Sequence, residues 1–600
     1  MPLTTDQNNV VDKTNGHVVV LAGPGSGKTY TIIEKIIYIF ENDIIPEYCG
    51  LLAITFTNAA ANEMRSRLRA KGFQRWDRIW IGTFHSFGSY LLSCYGSDVG
   101  IQENFELIEK DIQNSIIDKV ISENSLGVKA SNFKSTLEGL KRRGIYPGRN
   151  DEGLDSKLLS AYIDYQKEIT LINSLDFGDL VALAVRLLEE SNLASRLVSN
   201  FFQYIIVDEF QDSDSQQLKM ICLLAKNAVG STIVADDDQS IYRFRGAVRE
   251  NVFKIKEILK AEAIILGINF RSDKVIVEAA KSIIEAENNR ASREIKSNSK
   301  NVGFLYREEF QGLKQEAHQV AAWIAKLTEG YQSEDWGEIA IITRNRWRVN
   351  EILSILNQAK IPWFDRSRLN FQDSWEIFLG LAILSLSCNL HSSDYLHKVF
   401  AVIENEGLSF RFRNKDALEM AISIRNQLLN GVDFSPNPDN IENILDIAKL
   451  EFIVRTACWS STEAGRLLDN LHKMLDTLKH EAKTHQLSLL NAINRLAGHG
   501  AIQVMSGHAS KGREFDYVFL AGLEDDTLPF YKAHKNAEEL AEERRIFYVS
   551  ITRARKAAYL TSAAKINSRR KRPSRFISHI PQEYFSSSSN FQCIEDVDRR

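Results

Sequence analysis

His17–Phe40 reads HVVVLAGPGSGKTYTIIEKIIYIF. Val18–Leu21 has the unbroken apolar character of a strand buried on both faces. The glycine-rich loop Gly23–Gly27 follows. Lys28 and Thr29 then open a helix with Ile32, Ile33, Ile36, Ile37 and Phe40 on one face. Strand, loop and helix in this order make a phosphate-binding unit. Loop amides cradle the β- and γ-phosphates, Lys28 adds a point charge, and the Thr29 hydroxyl can ligand Mg²⁺. The first position of the pattern is Ala22 instead of glycine.

A second carboxylate site lies at Tyr204–Asp212, YIIVDEFQD. Ile205, Ile206 and Val207 lead to Asp208 and Glu209 at a strand's C-terminal end. An aspartate there holds Mg²⁺ in phosphate-loop enzymes, and a neighbouring glutamate can deprotonate the attacking water. The competing reading is a solvated acidic turn; the phosphate loop in the same chain favours the metal site.

The third informative stretch is Val234–Ala247, VADDDQSIYRFRGA. Gln239 offers an amide that can feel a nucleotide phosphate. Three residues later Tyr242, Arg243, Phe244 and Arg245 interleave aromatics with arginines, which stack on unpaired bases and hold the backbone between them. One short segment can thus touch a nucleotide at one end and a nucleic acid strand at the other. Alone, such a run is as compatible with a surface patch.

The chain has 600 residues, enough for roughly three to five domains. Hydrophobic residues are 44%, charged residues 25%, and net charge is -4. These values describe an ordinary globular protein and exclude a globally basic nucleic-acid coat, though not a local basic groove. No apolar run is long enough to cross a bilayer, and MPLTTDQNNVV lacks the features of a signal peptide. Six scattered cysteines with no CxxC pair fit reduced thiols in a cytoplasm and speak against a zinc or iron–sulfur site.

Taken together and in order, the blocks resemble the UvrD/Rep/PcrA-type superfamily 1 helicases. The resemblance covers nearly the whole chain: LTTDQ (Leu3–Gln7), the phosphate loop, TFTNAAANEM (Thr55–Met64), TFHSF (Thr83–Phe87), LDFGDL (Leu175–Leu180), VDEFQD and DDDQSIYRFRGA. The second half adds NFRS (Asn269–Ser272), IAIITR (Ile339–Arg344), VMSGHASKGREFDYVFLAG (Val504–Gly522), EERRIFYVSITRAR (Glu542–Arg555) and PSRFI (Pro573–Ile577).

The resemblance implies ATP and Mg²⁺ as cofactors and gives each residue a role. Gln7 reads the adenine edge, Phe270 stacks on the base, Tyr30 lies near the adenine, and Glu514 lies near the ribose. Ala22, Gly23, Pro24, Gly25, Ser26, Gly27, Lys28 and Thr29 hold the phosphates. Thr29 and Asp208 hold the metal, Glu209 is the base, and Gln239 senses the γ-phosphate. Arg271 and Arg553 are arginine fingers, which engage the transferred phosphoryl only when the cleft between domains closes. Phe56, Asn58, His85, Tyr242, Phe244, Arg245, Arg344 and His508 line the single-strand track.

This sequence departs from the family pattern at several positions. Ala59 stands where lysine is usual, Ala235 where glycine is, Phe244 where tryptophan is, and Ser506 where threonine is. Arg513 replaces a leucine, and Tyr30 a frequent arginine. No catalytic group is lost.

Alternating strand and helix patterns argue for parallel α/β sheets. We expect Val18–Leu21, Leu52–Phe56, Tyr204–Val207 and Thr232–Ala235 in a first sheet, and Ile264–Ile268, Ile339–Thr343, Tyr517–Ala521 and Ala558–Thr561 in a second. By resemblance these are two RecA-like motor domains, each interrupted by a mainly helical inserted subdomain. The expected division is 1–90 and 196–265 for the first motor domain, with 91–195 inserted. The second motor domain takes 266–375 and 496–582, with 376–495 inserted, and 583–600 is a flexible tail. A basic cluster, KINSRRKRPSR (Lys565–Arg575), is equally a phosphate contact or a solvated turn.

The expected activity is ATP-driven translocation on single-stranded DNA with unwinding of duplex DNA. The resemblance implies 3′-to-5′ polarity; no residue pattern fixes direction. Alternatives are the helicase subunit of a larger complex, as in nuclease-partnered antiphage systems, a protein-displacing translocase, or a nucleotide-gated binding module without turnover. The first two add a protein partner such as a nuclease or repair factor. Intact Lys28, Asp208, Glu209, Gln239, Arg271 and Arg553 oppose the last.

Overall fold

The computed structural model describes residues 2–102, 104–287, 293–329, 333–365, 375–405, 417–430, 438–457, 461–485, 487–497 and 500–587. Two six-stranded sheets, each parallel throughout, organise the chain. The first runs Ile79–Thr83, Gly50–Thr55, Phe202–Val207, Gly230–Ala235, Gly16–Ala22, Glu262–Leu266. The second runs Phe304–Phe310, Ala554–Ala563, Phe515–Ala521, Ile339–Thr343, Ile502–Ser506, Trp363–Asp365.

The side-chain period of two explains the apolar runs. Val18 and Val20 enter one core with Leu51, Ala53, Tyr204 and Ile206, while Val19 enters the opposite core with Leu52, Ile54, Ile205 and Val207. The second sheet divides likewise: Ile339 and Ile341 face one way, Ala340 and Ile342 the other. Both faces of both sheets are therefore covered, which parallel strands require.

One strand expectation is overturned. Ile264–Ile268 was expected in the second sheet; the strand is Glu262–Leu266, and it forms the edge of the first sheet, paired with Gly16–Ala22. The reason is connection length. Helix Asn251–Ile258 ends only a few residues before the strand, so the chain completes a β–α–β unit on the sheet it has just left. Phe304–Phe310 supplies the outer strand of the second sheet instead. Ile79–Thr83, Ile502–Ser506 and Trp363–Asp365 extend the sheets beyond the expected strands.

Two helical regions interrupt the sheets. Between residues 91 and 195, helices Lys110–Glu123, Ala130–Arg142 and Ser156–Leu171 share a small core of their own, including Ile117, Phe133, Leu137, Tyr162 and Tyr165. Helix Phe177–Glu190 instead contributes Leu180, Leu183, Leu187 and Leu188 to the first sheet's core. The self-contained part is thus narrower than 91–195. The second region, from Trp375–Cys388 to Leu489–Ala497, packs helices around a separate core containing Leu379, Ile383, Leu450, Leu471 and Met474.

The expected tail also begins later than residue 583. Ser586 N–H donates to Leu305 O at 2.8 Å, and Phe585 lies under the Arg307 guanidinium at 4.7 Å. Residues 588–600 lie outside the described residues. Among the described residues, no helix is long and apolar enough to cross a membrane.

Candidate active site and nucleic-acid interface

Loops at the C-terminal ends of the first sheet's strands face the second sheet across a cleft of about 730 Å³. Ligands of open parallel sheets bind at this edge. Pro24 to Tyr30 form one wall of the cleft, with Gln7, Asp208, Glu209 and Gln239; Phe270, Arg271, Glu514 and Arg553 come from the other half. Ala22 and Gly23 stand behind that wall. Ala22 is fully buried, and a β-carbon on Gly23 would meet Ile295 at 2.9 Å.

The phosphate loop is shaped by two left-handed glycines, Gly25 (φ +65°) and Gly27 (φ +77°). A β-carbon on Gly25 would meet Arg271 Cβ at 2.6 Å, and one on Gly27 would meet Gln7 Nε2 at 2.7 Å. Both positive φ values favour glycine, and at Gly25 the clearance to Arg271 requires it as well. Gln7 Nε2 donates to Ser26 O (3.1 Å), and Ser26 Oγ donates to Gly23 O (2.8 Å). Across the cleft, Phe270 N–H donates to Gly25 O and Asn269 Nδ2 to Pro24 O, both at 2.8 Å.

The acidic pair sits at the floor. Asp208 immediately follows strand Phe202–Val207, and Glu209 takes a left-handed conformation (φ 54°) uncommon for a side-chain-bearing residue. Lys28 Nζ is 3.4 Å from Glu209 Oε1 and 3.9 Å from Asp236 Oδ2. Burial, then the neighbouring Glu209 charge, push Asp208 up to about 7 against the pull of Lys28. Glu209 is only half-buried; its desolvation too pushes upward, but Lys28 and Lys511 outweigh that penalty and hold it down at about 2. The pair's first negative charge therefore resides on Glu209. Asp208 is a buried carboxyl short of a cation, and the Thr29 hydroxyl lines the same cleft. This oxygen donor set suits a hard divalent ion such as Mg²⁺.

Arg553 is almost fully buried. It donates to Val549 O (2.8 Å), Arg513 O (3.1 Å) and, across the cleft, Gln239 Oε1 (3.2 Å). Burial, then repulsion from Arg271, lower it to about 9, so it remains cationic at neutral pH. Arg271 Nε donates to Glu514 Oε2 at 2.7 Å.

Next to the cleft lies an aromatic cluster. Tyr242 stacks on Phe56 (centroids 5.6 Å, 17°), and Phe244 meets His508 edge-on at 5.5 Å. Arg245 lies over both Tyr242 (5.1 Å) and Phe244 (5.7 Å), and Phe244 is 65% exposed. Burial, then the surrounding cations Arg344, Arg245 and Lys511, lower His508 to about 4. It is therefore a neutral ring that can stack, not a phosphate-binding cation. The other nominated residues behave differently. Asn58, exposed, opens helix Asn58–Ala70. Arg344 is held by both oxygens of Glu543 (2.8–3.1 Å). His85 packs against Phe177 at 4.3 Å and is likewise neutral, lowered to about 4 by burial and then by Arg142.

Two residues here escaped the reading of the sequence. Lys511 reaches from the second half into the acidic floor: its Nζ lies 2.5 Å from Asp212 Oδ2, 3.5 Å from Glu209 Oε2 and 2.9 Å from Gln239 O. It also sits 5.2 Å above the Tyr242 ring. Nothing in its local sequence marks it, because its partners are about 300 positions away. Phe177 is 54% exposed at the start of its helix, behind the capping residue Asp176. Buried Lys141 anchors that turn on Asp176 (2.6 Å) and Asp179 (2.7 Å). An aromatic immediately after a helix cap in LDFGDL was the available signal.

The basic cluster forms a short hairpin, Lys565–Ile566 with Arg569–Arg570. Lys571 and Arg575 pair with Asp526 and Asp525, while Lys565, Arg569, Arg570 and Arg572 are exposed.

Residues 3–260 match the family model of the UvrD/REP helicase N-terminal domain. Residues 264–428 and 440–565 match the UvrD-like helicase C-terminal domain. The chain is 30% identical to the ATP-dependent DNA helicase PcrA of Bacillus subtilis, over 96% of this chain and 85% of that protein. It is 27% identical to the protein of the same name from Staphylococcus aureus and to that from Staphylococcus epidermidis, in each case over 98% of this chain and 87% of the relative.

Proposed function

Because the chain belongs to the UvrD/REP family of DNA helicases, we propose that it is an ATP-dependent translocase. It moves 3′ to 5′ along single-stranded DNA and unwinds duplex DNA during repair, recombination or replication in the cytoplasm. One observation carries this reading. Gln239, which meets Arg553 in the cleft, lies three residues from Tyr242, which meets Phe56 and His508 in the aromatic cluster. A shift of this segment on nucleotide binding is felt directly where bases would stack.

In this mechanism Lys28 and the loop amides bind the β- and γ-phosphates, while Gln7, Tyr30, Phe270 and Glu514 orient the nucleoside. Thr29 and Asp208 would hold Mg²⁺, which neutralises phosphate charge when bound. Lys28 now leans on Glu209 at 3.4 Å. A phosphate competing for Lys28 lessens that pull, so Glu209 becomes a stronger base for the attacking water. Arg271 and Arg553 stabilise charge on the transferred phosphoryl. Gln239 reports the γ-phosphate to Tyr242, and Phe56, Asn58, His85, Phe244, Arg245, Arg344 and His508 guide the strand.

The test is steady-state ATP hydrolysis with and without single-stranded DNA, using Lys28→Ala as the control. Strong stimulation by DNA, lost in the variant, supports the motor; absence of turnover under every DNA condition refutes it. Strand displacement from duplexes with a 3′ or a 5′ tail then reads polarity.

A further inference from the structure

Strand Gly230–Ala235 ends in three consecutive aspartates, Asp236, Asp237 and Asp238, all fully buried. Three buried carboxylates repel one another and are costly unless neutralised. The cation that joins them is Arg293, from the other half of the molecule. Its Nη1 donates to Asp237 Oδ1 (2.9 Å), and its Nη2 donates to Asp238 Oδ2 (2.6 Å) and to Asp236 Oδ1. Arg249 and Arg545 complete the group through Asp237 and Glu287.

Asp236 then has one oxygen left; Gln239 Nε2 donates to it at 2.5 Å, with Lys28 Nζ farther off at 3.9 Å. The other end of the same amide accepts from Arg553 Nη2 at 3.2 Å. A carboxylate can only accept and a guanidinium can only donate, so these neighbours fix which way the Gln239 amide faces. The chain of contacts runs Arg293, Asp236, Gln239, Arg553: it leaves the second half, passes through the first, and returns.

We propose that Arg293 is a positioning residue for ATP turnover: by clamping Asp236 it fixes the Gln239 carboxamide toward Arg553, so that the two act on the γ-phosphate together. Lysine cannot replace it, because one ammonium does not present the planar fork that spans three carboxylates. The proposal rests on reading the cleft as an ATP site.

The test is a double-mutant cycle on DNA-stimulated ATP hydrolysis. Arg293→Lys should lower kcat about tenfold and leave KM for ATP within about threefold. In a Gln239→Ala background the same change should cost less than twofold, because the residue it positions is gone. A purely structural role predicts equal losses in both backgrounds, and that result overturns the proposal. Asp236→Asn gives a second route that spares the fold, since it leaves three acids opposite three arginines. It should reproduce the loss of kcat and add nothing to Arg293→Lys; wild-type kcat in Asp236→Asn overturns the proposal. If the wild-type protein hydrolyses ATP and the effects are additive, the positioning role fails alone. If the wild-type protein does not hydrolyse ATP, the reading of the cleft fails and this role with it.

Discussion

Lys511→Met should destabilise the protein in a strongly pH-dependent way. Asp212 is buried, and its carboxyl is pushed up to about 6 even with the Lys511 ammonium 2.5 Å away. In the unfolded chain an aspartate titrates near ~4. Between these values the folded protein binds more protons than the unfolded chain, so stability falls as pH rises. Above pH 6 the cost is constant at ~3 kcal/mol, at about 1.4 kcal/mol per pH unit. Removing Lys511 leaves only the more modest pull of Lys28 against burial, so the folded value rises further. The cost at pH 7.5 then grows toward a ceiling of ~5 kcal/mol, set by a fully protonated carboxyl, an increment of up to ~2 kcal/mol over wild type. At pH 5.5 Asp212 is mostly protonated in both folded proteins and its increment nearly vanishes; the lost Lys511–Glu209 contact contributes equally at both pH values, because Glu209 is ionised throughout. Thermal unfolding should show a deficit larger at pH 7.5 than at pH 5.5, by up to about 4–8 °C for a unit of motor-domain size. A deficit that is equal at both pH values, or larger at pH 5.5, would refute this account of the acidic floor. The double variant Lys511→Met/Asp212→Asn should lose the pH dependence.

Glu209→Gln should reduce DNA-stimulated kcat by ~10²–10³-fold while nucleotide affinity stays within a few-fold; parallel binding and turnover measurements check this. Phe177→Ala should weaken single-strand binding by ~1–3 kcal/mol, the usual worth of one base stack, with no change in salt dependence. Arg245→Ala should instead flatten the slope of log affinity against log salt by about one; fluorescence anisotropy across a salt series separates the two. Asp208 is held near 7 by burial and by Glu209, and a proton there competes with a metal ion. Apparent Mg²⁺ affinity in turnover should therefore rise ~10-fold from pH 6 to pH 8, beyond the change for ATP alone, and Asp208→Asn should abolish that rise.

Much of this was legible in the chain because the informative residues are local. A strand, a glycine loop and a lysine occupy adjacent positions, so Val18–Thr29 marks a candidate phosphate site without any tertiary information, and the fold brings Pro24–Thr29 to the wall of the cleft. The same holds for Tyr204–Glu209 and for Gln239–Arg245. Three things were not legible. The sheet membership of Ile264–Ile268 depends on where the chain can reach from helix Asn251–Ile258, which composition does not report. Lys511 looks like one more surface cation until folding places it among Asp212, Glu209 and Tyr242. Arg293 is equally anonymous, and the acid run it neutralises reads locally as a solvated turn. In each case the missing information is a partner far away in sequence: Gly16–Ala22 of the same sheet for the strand, and groups across the cleft for Lys511 and Arg293.

The chemistry of the contacts between the halves bears on motion. Each sheet is held by apolar cores that exclude water, and opening one would expose many fully buried Val, Ile and Leu side chains at ~1.5–3 kcal/mol apiece. Many contacts across the cleft are polar. Arg243 pairs with Glu538 at 2.5 Å, and its N–H reaches Glu542 at 3.0 Å. Lys511 meets Asp212, Arg553 meets Gln239, and Asn269 meets Pro24. Where such groups are rehydrated on separation, each exchange costs about 0.5–1.5 kcal/mol net for a neutral hydrogen bond and about 1.5–3 kcal/mol where one partner is charged. Rearrangement along the cleft therefore costs far less than opening either core. A ligand that binds the two arrangements with different affinity shifts their balance by that difference, and a nucleotide whose phosphates replace Glu209 on Lys28 has such a difference to offer. On the proposed mechanism, the cores keep each half rigid while the polar seam lets the halves move, and a change at Gln239 reaches Tyr242 three residues along the same segment.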